Sequence, residues 1–75
     1  MSIINQRIKE LREESGLAAE KVAELMNSIF RISINESTVL GWEADKDPTL
    51  HELRCIAVFF KASSDFILAL TDKRR

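Results

Sequence analysis

Apolar residues in this chain recur every three or four positions, in five short stretches separated by polar breaks. That spacing puts them on one stripe of a helix, and short stripes of this kind can be buried only against one another. Ile4, Ile8 and Leu11 stand at i, i+4 and i+7, ahead of Gly16, a residue suited to closing a helix. They predict a helix over about 3–14. Val22, Ala23, Leu25 and Met26 predict a second, over about 19–27, and Val39 with Trp42 a third, over about 36–44. Leu50, Leu53, Ala57 and Phe60, with Ile56 beside them, predict a fourth over about 49–60; Phe66, Ile67 and Leu70 predict a fifth over about 64–70. The starts carry capping chemistry. Thr49 with Glu52 reads as a capping box, and Ser63 can cap the fifth helix. The third has two candidate starts: Asn35 as cap with Glu36 in the first turn, or Ser33 and Glu36 as a box. Two glycines, one proline and no tyrosine leave few turn-formers or strand-formers to compete.

One segment breaks the pattern. Asn27-Ser28 reads as a stop, after which Phe30, Ile32 and Ile34 alternate with Arg31, Ser33 and Asn35. Alternation is the spacing of a strand, but no second strand is available to pair with it. The expectation is an ordered loop over 27–35 whose apolar side chains dock on the core.

With 75 residues, the expectation is a single domain over 1–75. Such a chain buries roughly 60% of its unfolded surface, so its core is thin and a partner or second copy would add stability. The single cysteine, Cys55, excludes an internal disulfide and fits a reduced, cytoplasmic setting. No apolar run approaches the ~20 residues of a membrane span, and residues 1–5 lack the order of a signal peptide. The net charge of −1 is unevenly spread. Between residues 17 and 48, Lys21, Arg31 and Lys46 face Glu20, Glu24, Glu36, Glu43, Asp45 and Asp47, so the middle third is acidic. The basic excess lies at the end, in the tail at 73–75, whose ordinary reading is a solubilising terminus.

Read in order, Gly16-Leu17, Val22-Ala23, Ser37-Thr38-Val39, Trp42-Glu43 and Pro48-Thr49-Leu50 resemble the Xre/Cro helix-turn-helix family. Residues 56–60 and 63–68, with Thr71-Asp72, are similar to that family's last two helices. The resemblance covers about residues 4–72 and implies an all-α, five-helix domain of the lambda repressor/Cro type. It implies a salt bridge between Arg12 and Glu43 joining helices one and three. The connection between helices two and three is about six residues longer than the usual tight turn. A similar long connection occurs in repressors of some temperate lactococcal phages.

The resemblance places DNA reading at the start and outer face of helix three, which here carry Asn35, Glu36, Ser37, Leu40 and Gly41. Base edges are matched by Arg or Lys to guanine and Asn or Gln to adenine. Past its cap, this helix offers an acid, a hydroxyl, methyl groups and a bare glycine. Ala18 and Ala19 stand where the family usually has a hydroxyl cap and a phosphate-gripping Gln. Apolar residues occupy positions that the family keeps polar: Leu40, Val58, Phe59 and Leu70, with Ile29 and Phe30 in the long connection. Grouped exposed apolar residues on a small domain suggest a contact surface. An acidic, partly apolar helix-turn-helix resembles the modulator-of-repression antirepressors of temperate lactococcal phages. That resemblance implies a regulator of the lysis/lysogeny switch that docks on the DNA-reading domain of a cognate repressor. The alternative is a Cro-like protein that binds operator DNA as a dimer, with Phe66 and Leu70 of helix five available for pairing.

No catalytic, metal or cofactor chemistry is expected. His51 and Cys55 lie four apart on one helical face, but a metal site needs three or four ligands and no others cluster there. A half-buried thiol beside a surface imidazole accounts for them. No glycine-rich phosphate loop is present.

Overall fold

The computed structural model describes residues 2–72, so the basic tail at 73–75 lies outside the described residues. Five helices follow one another: α1 (Ile3–Ser15), α2 (Ala19–Phe30), α3 (Glu36–Ala44), α4 (Leu50–Phe60) and α5 (Ser64–Ile67), with no strand among the described residues. The helices α1 and α2 both pack on α3, and α4 and α5 close the assembly against α1. The shared core is built on Ile8, Val22, Met26, Val39, Trp42, Ile56 and Ile67, each no more than 3% exposed.

Local chemistry fixes most boundaries. Ser2 caps α1 through a reciprocal pair with Asn5, and Gly16 ends it at φ 75, a left-handed value that glycine adopts without steric cost. Asn35, not Ser33, caps α3: its side chain accepts from the Thr38 amide at 3.0 Å. Thr49 and Glu52 form the box that opens α4, and Ser63 caps α5.

Two boundaries differ from the sequence expectation. The Asn27-Ser28 pair does not stop α2, which continues to Phe30 and closes on Arg31 at φ 54. The lengthening is thus shared between an extra stretch of helix and a five-residue connection, 31–35. The expected alternation is present within that connection, where Ile32 and Ile34 are half-buried against the core and Arg31 and Ser33 are exposed. Asn27 replaces the missing strand. Its amide nitrogen donates to the Ile34 carbonyl at 2.8 Å and its carbonyl accepts from the Ile34 amide at 2.9 Å. One side chain therefore satisfies both backbone groups that a neighbouring strand would pair.

The fifth helix is shorter than its apolar spacing suggests. It ends at Ile67 because Ala69 turns to φ 65 and the Leu70 amide folds back to the Asp65 carbonyl at 2.8 Å. Arg7 of α1 holds this segment. Its guanidinium donates to the carbonyls of Phe66 and Thr71 at 2.5 and 2.8 Å and lies 4.3 Å from the centre of the Phe66 ring. The remaining bond, to Asp72, reaches a fully exposed carboxylate and contributes little. Arg7→Ala is expected to cost about 1–3 kcal/mol, mainly through the two abandoned carbonyls. Amide exchange across 66–72 should quicken before the rest of the domain loosens, as hydrogen-exchange mass spectrometry would show.

Candidate recognition face

The helix α3 presents two unlike sides. Val39, Trp42 and Glu43 are buried, whereas Glu36, Ser37, Leu40 and Ala44 are exposed and Gly41 is half-buried. Glu43 is only 4% exposed, and Arg12 engages both of its oxygens: Nε donates to Oε2 at 2.5 Å and an Nη to Oε1 at 3.0 Å. A third guanidinium bond goes to the Leu17 carbonyl at 3.0 Å, so one arginine joins α1, the turn before α2, and α3. The bond to Glu43 holds Arg12 protonated above the usual guanidinium range, against the opposing pull of burial. One acid of the middle third is therefore turned inward and neutralised. Glu36, Asp45 and Asp47 remain exposed on or just beyond α3.

Lys46 is the cation that touches this face. The Lys46 amide bonds the Gly41 carbonyl at 2.9 Å, and its aliphatic stem lies over Gly41, with Cδ 3.4 Å from where a side chain would begin there. A methyl group at 41 would meet that stem in ordinary van der Waals contact. Beside it runs a polar groove of about 340 Å³ lined by Asn35, Ser37, Thr38, Trp42, Lys46, Asp47 and Glu52. Within the groove one ammonium faces two carboxylates, and Glu52 is already committed to the Thr49 amide at 2.8 Å.

Glu36, Ser37, Leu40 and Gly41 thus share α3, with Asn35 as its cap, but the other expected contact residues lie elsewhere. Phe30 and Val58 line one hollow with His51, Arg54 and Cys55. Phe59 belongs to another, with Leu11, Leu17 and Phe60, and meets the Phe60 ring edge-on at 4.9 Å. Leu70 is 72% exposed beyond α5, and Ile29 is 60% exposed near the end of α2. The apolar residues that sequence grouped as one surface are distributed over several. Sequence also overlooked Asn5, which is 2% exposed and donates to the carbonyls of Trp42 and Lys46 at 2.6 and 3.0 Å. It anchors the end of α3 from below. Its signal was available: a polar residue between Ile4 and Ile8 on an inward stripe.

Among the described residues no three side chains are grouped to hold a metal, and no helix is long and apolar enough to cross a membrane. Two short helices, α2 and α3, packed at one core, the second exposing its outer side, make this a helix-turn-helix domain. The chain is 38% identical over 68 residues to YobD of Bacillus subtilis (strain 168), described as an uncharacterized HTH-type transcriptional regulator. The match takes in 89% of this chain and about half, 55%, of that protein's length. No family model matches the chain. No solved structure matches it either.

Proposed function

We propose that this chain is a non-enzymatic regulator of a phage lysis/lysogeny switch whose α3 docks on the DNA-reading domain of a cognate repressor and blocks its access to the operator. The carrying observation is the chemistry of the exposed side of α3. Glu36 and Leu40 project from it, Asp45 and Asp47 follow it, and among the described residues Lys46 is the cation that lies against it. A DNA-reading surface aims cations at phosphates, and carboxylates beside an apolar side chain complement such a surface rather than a duplex. Its place of action is the cytoplasm, where the repressor meets its operator. Glu36, Ser37, Leu40 and Gly41, with Asn35 at the cap, form the contact; the α2–α4 hollow and the C-terminal Leu70 lie outside it.

Similarity to a protein named as an HTH-type transcriptional regulator favours a second reading, direct operator binding as a dimer. Glu36→Lys separates the two because it moves them in opposite directions. Docking on a basic repressor should weaken about tenfold or more as an attraction becomes a repulsion. Binding to a duplex should instead strengthen, and its log–log salt slope should steepen by about one. Selection from a random duplex pool at low salt supplies the complementary measurement. Recovery of a defined motif by this chain alone would rule out the antirepressor role.

A further inference from the structure

We propose that the hollow between the end of α2 and the outer side of α4 is a docking site for an acidic amphipathic helix of a partner protein. Phe30, His51, Arg54, Cys55 and Val58 line a space of about 280 Å³. Small-molecule sites run to roughly 300–1,000 Å³ and enclose their ligands, so this open hollow suits one or two apolar side chains instead. Its rim is apolar and uncovered: Val58 is 66% exposed. Ile29, one residue before Phe30 on the last turn of α2, is 60% exposed.

The charges around it have one sign. Arg54 lines the hollow, and Arg31 follows Phe30 directly, exposed at the left-handed end of α2. Neither is in an ion pair among the described residues, and no carboxylate lines the hollow. This sign selects the occupant. A second copy meeting the same face would set Arg54 and Arg31 against their own counterparts, and like charges across an interface oppose association. A nucleic acid would satisfy the guanidiniums but would find no use for Val58 and Phe30. An amphipathic helix with carboxylates flanking its apolar anchors satisfies both, and helices seat such anchors in grooves between two helices at i, i+3 and i+4. The residues involved are separate from the α3 face, so the proposal does not depend on the role given to α3.

The test is a titration of the 15N-labelled chain with a fluorescein-tagged model helix of about 18 residues, five turns long, with Leu and Phe on one stripe and Glu on the other faces. A matched helix with Lys in place of Glu is the control. The acidic helix should bind about tenfold more tightly than the basic one, a gap that narrows as salt rises. Amide shifts should centre on Phe30, Arg54 and Val58. Arg54→Glu and Val58→Ser, both at exposed positions, should each weaken binding about tenfold while melting like the parent chain. Four results would each overturn the proposal: equal binding of the two helices, shifts confined to Glu36–Leu40, equivalent shifts from a mixed-sequence duplex, or self-association that Val58→Ser abolishes.

Discussion

Arg12→Ala is expected to lower the unfolding free energy by about 3–5 kcal/mol, the usual cost of stranding a buried charge. Glu43 is 4% exposed and receives two bonds from Arg12, so its carboxylate has no water to fall back on. A domain of this size has a total stability on the order of 5 kcal/mol, and the variant should be largely unfolded near 37 °C. Urea titration and thermal melting would measure this, with a fall in midpoint of about 15 °C or more. The paired change Arg12→Met with Glu43→Leu should recover most of the loss. Replacing both charges with apolar groups of similar volume is often neutral or better, because desolvation of the pair offsets its attraction. A single variant that loses less than about 1 kcal/mol would show that the carboxylate hydrates through local opening. The pH dependence has a defined sign. The folded-state pKa of Arg12 is raised, so the stability it adds is complete below the ordinary guanidinium range and is lost only as pH climbs through the raised value. Arg12 therefore gives no slope to the urea midpoint near neutral pH.

Trp42→Ala should cost a similar amount, about 3–5 kcal/mol, through lost transfer energy and the cavity left behind. Trp42 is 3% exposed on the inward side of α3, and its carbonyl accepts the Asn5 amide at 2.6 Å. Collapse of the ring site would also loosen the bond that fixes the end of α3. Trp42→Phe keeps an aromatic plug and should lose clearly less. Two turns' worth of chemistry thus sits on one helix, and Leu40 provides the contrast. Leu40→Ala, at a side chain that is 45% exposed, should move stability by only about 0.5 kcal/mol. Its effect should fall on repressor docking instead, read by anisotropy with the repressor's DNA-reading domain. Equal damage to folding at both positions would mean that the exposed side of α3 is not a contact surface.

The extent to which sequence anticipated these sites follows from the range of the interactions. The helices and caps at Gly16, Asn35, Thr49 and Ser63 are decided by neighbours three or four residues away, and their signals are present in the chain. The end of α2 lies beyond its sequence expectation because Asn27 looks like a breaker only in isolation. Its amide is instead engaged by Ile34, seven residues on, which frees the helix to continue. The end of α5 falls short of its sequence expectation for a related reason. Leu70 continues an apolar period, but no core surface receives it, and its backbone closes a turn.

The functional surface divides in the same way. Which residues occupy the outer side of α3, and that they are poor in cations, is fixed by helical periodicity once the start at Asn35 is known. Packing decided the rest. It buried Glu43 under Arg12, laid Lys46 over Gly41, and sent Val58 and Phe59, adjacent in sequence, into different hollows. Five helical segments, the caps at Gly16, Thr49 and Ser63, and the acidic character of the third helix are legible in the chain alone, because they depend on local spacing and on composition. Which charges are neutralised and which apolar side chains stay uncovered is settled by packing. Both depend on groups tens of residues apart, which meet only when the helices pack around one core.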